Sequence, residues 1–482
     1  MTVNDIETDE ALDNIKKLIE EEKDLSPALK TAIEVMILLV TVLVNRLGLN
    51  SRNSSKPPSS DFGASEKGAD DKGRRNNNGN GRKPGGQPGR KGRTLKLIDN
   101  PDEVVSLEID RRTLPRGGQY TAAGFETRQV FNIKISRHVI EYQAEVLVDE
   151  NGKRFTASFP LGVDHKTQYG NDVKAHGVYM SQFQMIPYNR LSDYFLSIIG
   201  VPVSEGSLYN FNLRAYQLLE QVEDHIKLQL LKEAMLHADE TGIKVGKKKI
   251  WLHCISSPFW TYLCPHPSRG TEAMEEMDVL PHYTGVLCHD HWKAYFTYIC
   301  SHALCNAHHL RELERAYEQD GQRWAKNMKN LLLEMNQLTK ENDGALTEDQ
   351  AKPLMKRYRT LLTQGSKECP ENAAIEGKRG KTAQSKSRNL LNRLREYETE
   401  ALRFLTDKDV PFTNNQGEND IRMSKVHQKI SGCFRSMMGA KIFCRVRGFL
   451  ITCRKHGVNP ADALTDLFRG KLPDFIKITE TV

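Results

Sequence analysis

Two short apolar runs in this chain end alike, Leu236-His237-Ala238-Asp239 and Leu287-Cys288-His289-Asp290, each delivering a carboxylate where a buried strand would stop. In open α/β sheets the carboxyl edge of the strands is where reactive groups gather. A third acid, Glu418, stands in Thr413-Asn414-Asn415-Gln416-Gly417-Glu418, which reads as the first turn of a helix. Carboxylate oxygens are hard ligands and suit Mg²⁺ or Mn²⁺, which keep open positions for water and phosphate oxygens. Two such ions about 3.5 to 4 Å apart stabilise both the attacking and the leaving oxygen of an in-line displacement at phosphorus. The expectation is that Asp239 bridges the two ions while Asp290 and Glu418 each serve one. Such a centre could activate water for strand cleavage and then a 3′-hydroxyl for strand transfer.

Each acid also has an ordinary use. Asp239 opens a turn-like Asp-Glu-Thr-Gly, Asp290 could cap a helix starting at His291, and Asn415 with Glu418 fits a capping box. Glu418 and Arg422 have the spacing of an ion pair one helical turn apart. Cys305 and His308 resemble half of a zinc site, but no second half stands at a suitable spacing, so the pair reads as structural. His308 could instead lie beside the acids and touch a nucleic-acid strand. No nucleophile elbow and no phosphate-binding glycine loop is visible, which argues against covalent serine chemistry and ATP use.

The elements that must position these acids follow from the rest of the chain. At 482 residues it is long enough for about three to four folded units. With 38% hydrophobic and 27% charged residues it has the composition of a soluble globular protein. Nine cysteines without a CxxC pair read as reduced thiols. No basic segment followed by an apolar stretch marks a secretory signal. The most apolar stretch, 35–44, is about half of what a membrane span needs, so no membrane is expected.

Residues 1–49 read as helical, with Ile33, Met36, Ile37, Val40, Leu43, Val44 and Leu47 forming a stripe that could zip onto a second copy or pack on the chain's own core. Residues 50–103 collapse into Ser, Pro, Gly, Asn, Lys and Arg. Within them Lys72, Arg74, Arg75, Arg82, Lys83, Arg90, Lys91 and Arg93 occur with no acid between, a flexible cationic strand suited to neutralising DNA phosphates. Residues 104–165 alternate like strands, with an Asn151-Gly152 turn, and suggest a small β-rich module. Residues 166–230 are helical, for DNA binding or for packing. Residues 231–309 hold short apolar runs at 235–238, 250–255, 260–264, 286–288 and 303–305, as central strands of a covered sheet do. An inserted helical region spans 310–410, and 411–482 return to the sheet with further helices, Asn459 capping one that begins at Pro460.

The ordered blocks NSSKPPSSD (53–61), KPGGQPGRKG (83–92), HADET (237–241), CHDHWKAY (288–295), CNAHHLREL (305–313), NNQGENDIR (414–422) and HGVNPADALTDLF (456–468) closely resemble transposases of the insertion-sequence-66 family. The resemblance implies an α/β fold with a ribonuclease-H-like catalytic core and an Asp, Asp, Glu triad, here Asp239, Asp290 and Glu418; His308, Asn415 and Arg422, which stand near these acids in the chain or by the readings above, are taken as supporting residues. It implies action on the ends of a mobile element, with DNA as partner at those ends and at the target. A homodimer or larger assembly on DNA, accessory proteins encoded by the element and a cytoplasmic, nucleoid-associated location go with that task. Two departures stand out. The family's cysteine-rich zinc module would follow the basic linker, but 104–165 contain no cysteine, so no zinc is expected there. Asn419 and Thr413 replace an Arg after the Glu and an Asp before the Asn pair. Two competing readings are a DNA-binding descendant with an idle centre and a helical scaffold whose acids are all caps. The intact triad argues against the first, since a decaying site loses its acids early.

Overall fold

The computed structural model describes residues 2–3, 6–21, 26–47, 49–54, 94–372 and 382–477. The linker cations Lys72, Arg74, Arg75, Arg82, Lys83, Arg90, Lys91 and Arg93 therefore lie outside the described residues.

Two dipeptide strands, β1 (Thr2–Val3) and β2 (Ile6–Glu7), pair ahead of helices α1 (Thr8–Glu21) and α2 (Pro27–Leu47). Pro27 sits at the start of α2, where its missing N–H costs nothing. The apolar surface of α2 is not a narrow stripe: Leu29, Met36, Leu38, Leu39 and Leu43 are all exposed. Over Pro27–Val44 the mean hydropathy is 2.0 and none of the window is buried. By length and composition this one helix, among the described residues, could cross a membrane. Its apolar stretch is longer than 35–44 suggested, because Lys30 and Glu34 interrupt it without lowering its mean far.

Residues 104–165 form less sheet than the alternation suggested. Their regular strands are β3 (Val146–Val148) and β4 (Arg154–Thr156), an antiparallel pair whose turn uses Gly152 at φ 76°. The alternating Phe131, Ile133, Ile135 and Val139 are exposed. Alternation without a surface to bury against does not assemble a sheet.

Helices α3 (Asn171–Val178) and α4 (Tyr188–Tyr194), each extended by a π-helical turn, lead to α5 (Glu205–Leu218) and α6 (Glu220–Leu230). Ser204 caps α5 by accepting the Ser207 N–H at 3.0 Å. Leu208, Phe211 and Ala215, the apolar face of α5, are buried in the core.

The centre is a five-stranded mixed sheet of β5 (Met235–Val245), β6 (Lys248–Ser256), β7 (Thr261–His266), β8 (Val286–His289) and β9 (Ser301–Leu304), in the order β7-β6-β5-β8-β9. The first three form an antiparallel meander, and β8 and β9 run parallel to β5. A short helix, α7 (Thr271–Met277), lies between β7 and β8. After β9 come α8 (Asn306–Asp320), α9 (Arg323–Glu341), α10 (Glu348–Glu368), α11 (Lys386–Glu396) and α12 (Glu398–Leu402), then α13 (Asn415–Ser431), α14 (Met437–Lys455) and α15 (Pro460–Phe468). Asn459 caps α15 by accepting the Ala461 N–H at 3.0 Å.

Strand pleating divides the cores. Along β5 and β8, Leu236, Ala238 and Leu287 join the cluster built with α3 to α6, α14 and α15, whereas Met235 and Cys288 join the cluster built with the helices that follow β9. Successive side chains on a strand point to opposite faces, so this split assigns a face to every residue of both strands.

Candidate active site

The faces assigned by the core bring the two aspartates together. Asp239 shares its face with Met235 and His237, and Asp290 shares its face with Cys288, so both project toward the side of α8 and α13. The parallel register pairs His237 with Cys288, and carrying it two residues further sets Asp239 opposite Asp290 on neighbouring strands. The sequence expectation needs one correction: Asp239 does not end its strand. Strand β5 continues to Val245, because residues 240–245 pair with antiparallel β6 after the parallel partner β8 has stopped at His289. Asp239 is thus mid-strand, at the point where one neighbour gives out, and not in a turn. Asp290 lies just beyond β8 and accepts the Trp292 N–H at 2.9 Å, a local turn and not the cap of an α-helix at His291.

Glu418 arrives on the first turn of α13. A Cβ built on Gly417 would lie 3.5 Å from the Asp239 Cβ, so the helix start touches β5 beside this aspartate. The expected capping box is absent: Asn415 is exposed within the helix, and the N-cap position belongs to Asn414, whose side chain makes no cap bond. Arg422 is exposed and forms no ion pair with Glu418 among the described residues.

Sequence reasoning missed Asn414, which fastens these elements. Its Nδ2 donates to the Ala238 carbonyl at 2.7 Å. That fixes its Oδ1 toward His237, whose Nδ1 must then be the donor of their 2.7 Å bond. Its backbone N–H donates to the Cys305 Sγ at 3.2 Å. One buried amide therefore ties β5, the start of α8 and the start of α13. A farther anchor is Asp420, which pairs with Lys455 of α14 at 2.7 Å and accepts from the Thr261 hydroxyl at 3.2 Å, so α13 is also braced on β7. A polar residue before an acidic helix start was visible in the sequence, but its strand partners were not.

Electrostatics record the convergence. Burial, and then the negative charges of Glu240, Glu418 and Asp290, push the Asp239 carboxyl up to about 8. The neighbouring Glu240 faces the other way and is paired with Arg269 at 2.6 Å and with the Tyr295 hydroxyl. Its carboxyl is raised by burial and by Asp290, against the lowering effect of those two bonds. His308 is held below its ordinary value by burial and by Arg311, while Glu418 and Asp290 pull it back up. His308 thus stands beside the acids.

Glu418 Oε1 and His308 Nδ1 are buried with no hydrogen-bond partner among the described residues. An unpaired buried carboxylate oxygen is costly, and a cation is the ligand that satisfies it best. A cation at Glu418 would relieve that cost; among the described residues, Asp239 and Asp290 do not join Glu418 in a group whose ligand atoms all lie within 4.8 Å of one another. Among the described residues, Cys305, His308 and Glu418 bring one ligand atom each within 4.8 Å of one another.

Comparison with known families adds identity to geometry. No curated protein matches the chain. A model described as Family of unknown function (DUF6444) matches residues 2–96. A second, described as Transposase IS66 family, matches residues 166–442, more than half of the chain, and includes all three acids.

Proposed function

The chain belongs to the IS66 family of transposases, and from that premise we propose that it cuts and joins DNA at the ends of its mobile element, with Asp239, Asp290 and Glu418 as ligands for two Mg²⁺ or Mn²⁺ ions. When bound, such ions neutralise charge at phosphorus and activate oxygen nucleophiles. The chain's own part is to hold the acids. Asp239 lies on a central strand, Asp290 has one oxygen committed to the Trp292 amide, and Glu418 is set against β5 through Asn414 and Gly417. The mixed sheet, with its helical insertion between β9 and α13, supports a ribonuclease-H-like reading of the core.

The observation that carries the reading is geometric: the strand register sets Asp239 opposite Asp290 on one face, and the start of α13, with Glu418, touches β5 beside Asp239. Burial, and then the charges of Glu240, Glu418 and Asp290, raise the Asp239 carboxyl, which has no basic partner among the described residues. A buried carboxylate without a cationic partner near other acids is the environment in which functional sites are enriched, and divalent cations would compensate it. The remaining expectations extend the same reading. The basic residues between Lys72 and Arg93 grip DNA backbone without regard to sequence, pairing of two ends calls for at least a dimer, and element-encoded accessory proteins and a cytoplasmic setting follow from the task. The test is Asp239→Asn. It should abolish Mg²⁺-dependent cleavage of element-end DNA and leave DNA binding near that of the parent; retained cleavage overturns the assignment.

A further inference from the structure

The half zinc site read from Cys305 and His308 lacked a partner in the sequence, and the fold supplies one from beyond the helical insertion. The Cys305 Sγ, a His308 ring nitrogen and a Glu418 oxygen lie within 4.8 Å of one another. Ligand atoms at 2.0–2.3 Å from one tetrahedral zinc stand about 3.3 to 3.8 Å apart, so only small side-chain adjustments separate this group from a coordination shell. Two further observations point to a ligand: Glu418 Oε1 and His308 Nδ1 are both buried without a hydrogen-bond partner among the described residues. Cys305 is 2% exposed, and its position is set by the Asn414 N–H.

We propose that Cys305, His308 and Glu418 form a site for a single thiophilic divalent cation, Zn²⁺ foremost, different in chemistry from the all-oxygen set at Asp239 and Asp290. One thiolate, one imidazole and one carboxylate are a borderline-soft set that prefers Zn²⁺ or Co²⁺ to Mg²⁺. Three protein ligands leave a fourth position open to water. Binding requires the thiol to lose its proton to solvent as the metal–sulfur bond forms. Because Glu418 is common to both sets, a bound Zn²⁺ holds that carboxylate in place and competes with a second hard ion for it. The shared role of Glu418 rests on the proposed function; the existence of the site does not.

The experiment is a Co²⁺ titration of the metal-free, full-length protein. One equivalent should give a thiolate-to-cobalt charge-transfer band in the near ultraviolet and the intense visible bands of a tetrahedral ion, both erased by Zn²⁺ and not by Mg²⁺. Cys305→Ser, which keeps an acceptor for the Asn414 N–H, should lose the charge-transfer band, and His308→Gln should lose the tetrahedral spectrum. Cys433→Ser, at a partly buried cysteine elsewhere, should change neither. A band that is missing in the parent, survives Cys305→Ser or disappears with Cys433→Ser overturns the proposal. Asp239→Asn separates the two readings. It should keep the cobalt spectrum while losing cleavage; cleavage retained alongside a normal spectrum would defeat the catalytic assignment and leave this site standing.

Discussion

Strand β5 carries two adjacent acids that pleating sends to opposite faces, and the faces treat them differently. On one, Glu240 is met by Arg269 at 2.6 Å and by the Tyr295 hydroxyl, and Arg269 is itself stacked between Trp251 and Trp292, with its guanidinium 4.8 and 4.4 Å from the ring centres. On the other, among the described residues, Asp239 accepts only the Glu240 amide at 2.9 Å, and Asp290 and Glu418 add their negative charge. Both carboxyls are raised by burial, yet only one has compensation. Partners offset part of the burial cost at Glu240, whereas Asp239 has no such cationic partner among the described residues.

The largest effect that sharpens this contrast is functional. Asp239→Asn should lower cleavage by roughly 10³-fold or more, the scale on which loss of a group acting at the reacting centre is felt. Glu240→Gln should cleave DNA far better than Asp239→Asn. If the two variants lose cleavage equally in a single-turnover assay, the faces do not differ as described.

Next in size is Asn414→Ala. It removes both side-chain bonds, to Ala238 and to His237, and leaves buried polar groups unpaired, so denaturant unfolding should show a loss of about 2–4 kcal/mol. Glu240→Gln should cost less, about 1–3 kcal/mol, because Arg269 keeps its aromatic stacking and is 39% exposed to solvent. A larger loss for Glu240→Gln than for Asn414→Ala would reverse the weight given to the two faces.

The contrast also has a pH signature in metal-free protein. The Asp239 carboxyl is raised from 3.8 to about 8 in the fold, so between those values the native state binds more protons than the unfolded chain. Its contribution to stability must therefore fall as pH rises from about 4 to about 8 and level off above. Thermal unfolding in chelator should follow that slope in the parent, and Asp239→Asn should flatten it. A parent whose stability rises over this window would mean that Asp239 is already ionised and compensated.

How much of this was legible depends on whether the signal is local. The apolar runs at 250–255, 286–288 and 303–305 read as strands because every residue in them had to be covered; the first two fall within β6 and β8, and the third overlaps the end of β9, with Cys305 already capping α8. The inserted region at 310–410 read as helical, and Trp324, Met328, Leu331, Leu332 and Met335 are buried on one face of α9. What failed was context. Residues 131–139 alternate as a sheet strand would, but alternation cannot say whether a second layer exists, and their side chains are exposed. Asp239 read as a strand end because Glu240 and Thr241 are polar. The antiparallel partner β6 and the Arg269 pairing that accommodate them come from elsewhere. Asn414 was passed over in favour of Asn415 because a capping pattern is local and a clamp across three elements is not. The carboxylate that completes the Cys305 and His308 pair was hidden by the helices between them.

The smallest predicted effect on stability tests whether the approach of α13 to β5 matters in itself. A Cβ at Gly417 would meet the Asn414 side-chain amide at 3.3 Å, slightly too close, and the Asp239 Cβ at 3.5 Å, an ordinary contact. Replacing a helical glycine by alanine gains about 0.5–1 kcal/mol of backbone free energy, which roughly offsets a shift of a few tenths of an ångström. Gly417→Ala should therefore unfold within about 1 kcal/mol of the parent. The shift falls on the turn that carries Glu418 and on the amide that positions it, so cleavage should drop far more than stability does. Equal and small changes in both would show that the acids tolerate slack, and that the close contact at Gly417 serves packing alone.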